Sequence, residues 1–251
     1  MYSITPYTMI RRLLMICCMC QLALAAQAGD DFGIWAGLGA EKKIAKGLSA
    51  NIEGEFRSRN NTRTVERWSG SAGLSYKITK WLGSSVDYTF LYRYQPMEVT
   101  GKGNYIPEYW LMRHRLNVAL TGKASLGRIG LSLRERWQYT YRPEQHTEKY
   151  DGRTGARKAD EVIKGKGQHA LRSRLKVDYN IPKCKFTPYV ACELTHSLMH
   201  GFYYDKTRLT LGTEWKLAKR HGFDFYYVYQ DRADADEADG HVLGVAYKFK
   251  F

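Results

Sequence analysis

Six arginines in three R-x-R pairs are the residues of this sequence whose possible chemistry is easiest to define. A guanidinium group presents a fork of N–H donors that matches the oxygens of a carboxylate or a phosphate. Two-residue spacing places both members of a pair on one face of a β-strand. The sequence therefore predicts a basic cluster that could bind anionic groups. Its members are Arg113, Arg115, Arg134, Arg136, Arg172 and Arg174.

Metal and cofactor chemistry finds little support in the sequence. The acidic run "DRADADEADG" (231–240) does not match the spacing of an EF-hand calcium loop, so we interpret it as a solvated loop. Cys184 and Cys192 are the only cysteines after residue 28, and two isolated thiols do not make a metal site. We predict no cofactor and no metal.

Alternation of apolar and polar residues with a period of two runs through most of the chain and predicts β-strands. In "LSANIEGEFRSR" (48–59), Leu48 and Ile52 share one face, and Glu53 and Arg57 share the other. After residue 28, no apolar run is long enough to span a bilayer as a helix. The segments are 31–43, 48–59, 66–79, 82–95, 109–121, 128–142, 168–180, 186–198, 204–217, 222–232 and 241–251.

Short basic turns and longer polar connections alternate between these segments. "EKKIAKG" (41–47) is typical of the short turns, and 95–108 and 143–167 are typical of the long connections. Outer-membrane barrels have this arrangement. The sequence predicts an all-β protein with a single antiparallel up-and-down transmembrane β-barrel of about 10–12 strands. The number stays open because an odd count of segments conflicts with the even strand number of such barrels. A soluble β-domain is the less favoured alternative.

Aromatic residues concentrate at two levels of the predicted strands. Trp81 and Trp215 lie beside short turns, whereas Trp68, Trp110 and Trp137 lie toward the long loops. Membrane barrels carry aromatic girdles at both interfaces of their apolar band. A soluble sandwich has little use for two such rings, so the pattern favours a barrel in a membrane.

The last eight residues, "GVAYKFKF", carry apolar side chains at alternate positions and predict a lipid-facing closing strand. An exposed edge strand of this kind would invite aggregation. The stretch resembles the C-terminal signal by which outer-membrane barrels are recognised for insertion. This resemblance implies the barrel-assembly machinery as a partner. The signal residues are Val245, Tyr247, Phe249 and Phe251.

The first 28 residues have the three parts of a secretory signal peptide. Arg11 and Arg12 precede an apolar run, and Ala26-Gln27-Ala28 is a small-residue cleavage site. We predict a signal peptide at 1–28 and a barrel at 29–251 in the outer membrane of a Gram-negative bacterium. Removing two arginines lowers the net charge from +14 to +12. No basic–aromatic recognition motif accompanies this charge. We therefore predict outer-membrane lipid and lipopolysaccharide as partners, and no nucleic acid.

The interior of such a barrel would hold acids beside the basic cluster. With the apolar face toward lipid, the acidic partners predicted inside are Glu53, Glu55, Asp178, Glu193 and Glu214. We favour a cross-barrel Arg–Glu network that fills a narrow bore, since buried charges need partners. A narrow anion-favouring pore remains open as a second interpretation. The two can coexist if the excess arginines line a pocket near the long loops.

An outer-membrane enzyme acting on lipid or lipopolysaccharide acyl chains is the alternative class. Such an enzyme needs a serine within hydrogen-bond reach of a histidine. Ser173 and His169 are four residues apart on one predicted strand, about 13 Å by strand geometry. His114, His196 and His200 show no triad spacing either. We therefore favour a protein that is not an enzyme.

Several segments resemble the outer-membrane β-barrel family known as domain-of-unknown-function family 2490. They are "RHRLNVALTGK" (113–123), "LRERWQYTYRPEQ" (133–145), "LRSRLKVDYNIPKCKFTPYV" (171–190), "KTRLTLGTEWKL" (206–217) and the C-terminal "GVAYKFKF". The resemblance covers nearly all of 29–251 and implies a barrel in the outer membrane. It implies no catalytic residues.

Overall fold

The computed structural model describes residues 31–199, 201–231 and 240–251. These residues form the strands β1 (Asp31–Ala45), β2 (Leu48–Arg59), β3 (Thr64–Lys77), β4 (Leu82–Gln95), β5 (Glu98–Val99), β6 (Asn104–Ile106), β7 (Tyr109–Leu126), β8 (Ile129–Arg142), β9 (Gln145–Thr147), β10 (Tyr150–Asp151), β11 (Glu161–Ile163), β12 (Lys166–Tyr179), β13 (Phe186–Ser197), β14 (Tyr203–Lys216), β15 (His221–Asp231) and β16 (Gly240–Lys250). None of these residues belongs to a helix long and apolar enough to cross a membrane.

Eleven strands close into one barrel, in the order β1-β16-β15-β14-β13-β12-β8-β7-β4-β3-β2. Strands that follow each other along the chain pair antiparallel, as in an up-and-down barrel. Two-residue turns join β1 to β2 and β7 to β8. Gly47 and Gly127 take positive φ angles of 80° and 59° in these turns, where residues with a side chain are strained. The prediction of an all-β closed barrel is confirmed.

The closure of the barrel corrects the prediction that every strand pair is antiparallel. β1 and β16 pair in parallel, from Asp31 opposite Gly240 to Glu41 opposite Lys250. The reason is the odd number of strands. When an up-and-down chain has eleven strands, its first and last strands run in the same direction and can close only in parallel. The eleven predicted segments correspond to these strands.

Apolar side chains lie on the outside of the barrel and charged side chains on the inside. Ile52 and Leu38 on the outer face are 62% and 68% exposed, whereas Arg57 and Arg67 in the interior are 7% and 5% exposed. Paired strands keep this division because residues opposite each other lie on the same face. A small apolar cluster of Trp35, Val228 and Val242 lies inside the barrel. This distribution of apolar and charged side chains is the reverse of the one found in soluble proteins.

The long connections at one end of the barrel contain short strands that the sequence pattern did not predict. β5, β6 and β10 form a three-stranded sheet, and β9 pairs with β11. Lys158 Nζ contacts Asp151 Oδ2 at 2.8 Å and donates to Asn104 Oδ1 at 2.7 Å. These contacts tie the connection after β8 to the one after β4.

Several sequence-based expectations concern residues outside the described ranges. The predicted signal peptide (1–28) lies there, as do His200 and most of the acidic run 231–240.

Candidate functional site

The arginine cluster lies on three neighbouring strands. Arg113 and Arg115 are on β7, Arg134 and Arg136 on β8, and Arg172 and Arg174 on β12. These strands are adjacent in the barrel, although a long connection separates β8 from β12 in the chain. All six side chains line cavities inside the barrel.

Four of these arginines form a square that we call the arginine quartet: Arg134, Arg136, Arg172 and Arg174. Arg136 lies directly opposite Arg172, and Arg134 directly opposite Arg174, across β8 and β12. Opposite Cα atoms in an antiparallel pair are about 4.5–5.5 Å apart. Like charges placed in this way are destabilising unless other groups neutralise them.

Glu193 on β13 neutralises part of the quartet. Its carboxylate accepts hydrogen bonds from Arg172 Nη2 at 2.5 Å and from Arg134 Nη2 at 3.2 Å. Arg208 Nη1 lies 3.5 Å from the same group. Glu193 is buried. Its interactions with the three guanidinium groups are therefore stronger than they would be in water, because the local dielectric constant is low.

Arg136 and Arg174 differ from the other two members of the quartet. Within the described chain, neither has an ion pair within 4.0 Å. Both side chains line a mid-barrel cavity of about 560 Å³. Glu193 therefore bridges one diagonal of the quartet, and the two arginines of the other diagonal line the cavity without an acidic partner among the described residues.

The acidic residues pair differently from the predicted cross-barrel network. Glu55 bridges Arg57 and Arg67 at 2.7 and 3.3 Å, on its own strand and the next. Glu214 pairs with Lys176. Ion pairs are made along a strand or to a strand one or two places away, because those side chains already lie on one face within reach.

Two predicted acidic partners do not pair. Glu53 and Asp178 have no ion pair within 4.0 Å in the part of the chain that the structure describes. The Asp178 carboxylate instead lies against Gly130, where an added Cβ would be 2.6 Å from an oxygen. Among the five predicted acids, Glu193 alone bridges members of the arginine cluster.

The six arginines line three neighbouring cavities of the described interior. A cavity of about 1040 Å³ opens at the short-turn end, and the mid-barrel cavity shares Arg134, Arg174 and Tyr189 with it. A cavity of about 100 Å³ lies toward the long loops, where Arg67, Arg115 and Arg172 line both it and the mid-barrel cavity.

Aromatic rings form part of the interior wall, and the sequence analysis missed them. The Arg57 guanidinium carbon lies 3.4 Å from the Trp35 ring centroid, and that of Arg208 lies 5.3 Å away. Tyr226 lies over Gly244, its opposite residue on β16. The period-two alternation of β1 would have been enough to predict that the Trp35 side chain faces the interior.

The C-terminal residues lie on the outer face. Val245, Tyr247 and Phe249 lie opposite Phe225, Phe223 and His221. β16 ends at Lys250, but Phe251 N donates to Glu41 O at 2.9 Å and continues the pairing with β1. The Phe251 side chain is 66% exposed.

The structure does not pair Ser173 with any of the candidate histidines that it describes. Ser173 donates a hydrogen bond from its hydroxyl group to Glu135, and His169 stacks on Trp137 with the Tyr139 ring tilted beside it. His114 Nδ1 bonds to Tyr88, and His196 stacks on Phe202. Within the described ranges, no three His, Cys, Asp or Glu side chains are placed to hold a metal ion.

The fold and interior define a class: a closed β-barrel with an apolar outside and a charged, cavity-containing inside. The profile of the family described as "Protein of unknown function (DUF2490)" matches residues 32–240, so the chain belongs to this family. The predicted family resemblance is confirmed. No curated protein matches the sequence significantly.

Eight solved chains match the fold. The β domain of the Bordetella autotransporter BrkA has a TM-score of 0.52 and 11% sequence identity, over 82% of each chain. The NanC porin has a TM-score of 0.46 and 12% identity, over 84% of this chain and 93% of the porin. At such identities the likeness to BrkA shows the fold alone.

Proposed function

We propose that the chain spans the bacterial outer membrane as a β-barrel and that its basic interior is a narrow anion-favouring passage. The observation that carries this proposal is the inverted distribution of side chains. Ile52, Leu38 and Leu120 are more than half exposed on the outside, while Arg67, Arg93 and Arg113 are nearly buried inside. An apolar outer face is stable against lipid and unstable against water.

Aromatic residues at both ends of the outer face support a membrane setting. Trp81 and Tyr179 are exposed near the short turns, and Trp68 and Tyr141 are exposed toward the long loops. Tryptophan and tyrosine are stable at membrane interfaces, where one side of the ring is apolar and the other is wet. The proposal includes export by a signal peptide at 1–28 and a mature barrel at 29–251.

The charges of the mid-barrel cavity support a preference for anions. Its lining has nine Arg or Lys residues and six Asp or Glu residues among those described. An excess of fixed positive charge between low-dielectric walls raises the local concentration of anions, and added salt weakens the effect. The Glu55 and Glu193 bridges also stabilise the wall, so the structural network and the passage coexist.

Conductance across planar bilayers tests the passage. Purified protein is expected to conduct, with a reversal potential in a KCl gradient that reports preference for chloride. The preference is expected to decrease at high salt. Cation preference would contradict the basic passage, and a folded, inserted barrel without conductance would leave the salt-bridge network as its sole role.

Membrane insertion needs its own test. Folded barrel is expected in outer-membrane extracts, where it migrates differently in gels before and after heating. Recovery of folded protein from the soluble periplasmic fraction would contradict the proposed location.

A further inference from the structure

We propose that the mid-barrel cavity contains a binding site for solutes with a dianionic oxyanion group, held between Arg136 and Arg174. The relevant groups are a phosphate monoester or a pair of neighbouring carboxylates. This inference rests on the proposed passage and names the class of solute that it recognises.

The first step is the arrangement of the quartet. Two arginine pairs face each other directly across β8 and β12. Four guanidinium groups on one patch of wall repel each other, and a chain under selection for stability alone would place acids among them. A bound anion offsets this repulsion.

The second step is the asymmetry within the quartet. Glu193 accepts hydrogen bonds from Arg172 and Arg134, which form one diagonal. Arg136 and Arg174 form the other diagonal and have no ion pair within 4.0 Å among the described residues. The two guanidinium groups of this diagonal can each donate a pair of parallel hydrogen bonds to two oxygens of the same solute.

The third step is that most acidic residues lining this cavity have ion-pair or hydrogen-bond partners other than Arg136 and Arg174. Glu55 bridges Arg57 and Arg67. Asp224 accepts a hydrogen bond from the Tyr189 hydroxyl at 3.0 Å, and Asp87 accepts one from Asn117 Nδ2 at 2.5 Å. None of these three carboxylates forms an ion pair with Arg136 or Arg174 within 4.0 Å among the described residues.

Glu53 is the exception and provides a test of its own. It lines the mid-barrel cavity, and within the described chain it has no ion pair within 4.0 Å. A free carboxylate near Arg136 competes with an incoming anion and repels it. Removing its charge is therefore expected to strengthen binding.

The size of the cavity fits a small organic anion. Its volume of about 560 Å³ lies within the usual range of ligand pockets, about 300–1,000 Å³. Chloride offers a single acceptor atom, whereas an oxyanion offers two oxygens that can accept two parallel bonds from each fork. The site is expected to discriminate by charge and by oxygen geometry.

The experiment uses the full barrel in detergent and in bilayers, with methyl phosphate and succinate as probes and chloride as the competing anion. Calorimetry measures binding, and the decrease of chloride current measures block. Wild-type protein is expected to bind at least one probe and to show block by that probe. Methyl phosphate should bind better at about pH 8, where it is dianionic, than at about pH 5.

Four variants locate the site. R136Q and R174Q are each expected to weaken binding about tenfold or more, the loss expected for a charged hydrogen bond. R136K keeps the charge without the fork and should fall between wild type and R136Q. E53Q should bind more tightly than wild type.

Lys123→Gln is the matched control, since Lys123 lines the short-turn cavity outside the quartet. It removes one charge at the exposed short-turn end of the barrel and is expected to change binding less than twofold. Equal losses in K123Q and R136Q would overturn the site, because the effect would then come from overall charge.

The outcomes separate the site from the passage. Binding of a probe without conductance keeps the site and rejects the passage. Anion-selective conductance without binding or block by either probe rejects the site and keeps the passage. If R136Q does not fold, binding of the probes to R174Q and E53Q still tests the proposed site.

Discussion

Ser173 donates a hydrogen bond from its hydroxyl group to Glu135 Oε2, 2.6 Å away, on the outer face of the barrel. The two residues lie opposite each other on β12 and β8, and Glu135 has Leu120 as its opposite residue on β7. A carboxylate among apolar side chains is costly when that surface meets lipid. Glu135 therefore provides a test of the proposed contact between this outer face and a membrane.

Glu135→Leu is expected to raise the free energy of unfolding in phospholipid vesicles by about 1 kcal/mol or more, because it removes an ionisable group from the outer apolar band that we propose to face lipid. Equilibrium unfolding in urea, followed by tryptophan fluorescence, measures this change. Glu214→Leu, which removes the partner of Lys176 in the interior, should lower stability instead. A loss of stability in Glu135→Leu would argue against lipid contact at this face.

Glu193→Gln is expected to lower the free energy of unfolding by about 3 kcal/mol, because three arginines lose their shared buried acceptor. Anion preference in bilayers should rise at the same time, since one negative charge leaves the bore. Asp178→Asn is the control, and a change below about 0.5 kcal/mol is expected because Asp178 has no described ion pair. Equal effects of the two substitutions would contradict the role given to Glu193.

Gly244→Ala is expected to displace the Tyr226 ring into the bore, because an added Cβ would lie 2.0 Å from that ring. Overpacking of this kind costs about 1–3 kcal/mol. Unfolding measurements on a double-mutant cycle with Tyr226→Ala give the coupling between the two positions. If Gly244→Ala costs as much stability in the Tyr226→Ala background as in the wild type, the ring does not lie over Gly244.

Phe251→Ala and deletion of Phe251 are both expected to reduce the amount of heat-modifiable folded barrel in membranes. The aromatic side chain is part of the proposed insertion signal, and deletion also removes the bond from Phe251 N to Glu41 O. The deletion should therefore be the more severe. Phe202→Ala removes a similarly exposed ring at 61% exposure outside the C-terminal row and should assemble normally. Equal yields from all three variants would remove Phe251 from the assembly signal.

The turn after β10 is expected to resist acid. The pKa of Asp151 is lowered, first by its hydrogen bond from Lys158 and then by the backbone N–H groups of Thr154 and Arg153. A lowered folded-state pKa means that the contribution to local order is complete above the usual pKa of aspartate, about 3.9. It is lost as pH falls through the lower folded value.

Hydrogen exchange at the amides of Arg153 and Thr154 measures this order. Protection should persist at about pH 4 in the wild type, where an unperturbed aspartate is half protonated. Asp151→Asn keeps the side chain's size without its charge and should exchange faster at neutral pH. Loss of wild-type protection at about pH 4 or above would contradict the lowered pKa.

The alternation in the sequence was sufficient to locate the strands and to assign their faces. Ile52 and Glu53 differ by one position and point to opposite sides, because successive side chains of a strand alternate. The eleven segments and the grouping of the six arginines on one face of β7, β8 and β12 follow from this period. The short strands β5, β6, β9, β10 and β11 were missed, because two or three residues do not show a period.

What the sequence could not determine was the register between strands. Arg136 opposes Arg172 because β8 and β12 pair in one particular alignment across a long connection. Glu193, and not Glu53 or Asp178, reaches the quartet for the same reason. The parallel closure of β1 and β16 likewise depends on the complete strand count. Period-two patterns are local, whereas register, closure and ion pairing are set by contacts between residues far apart in the chain, which form only when the whole barrel closes.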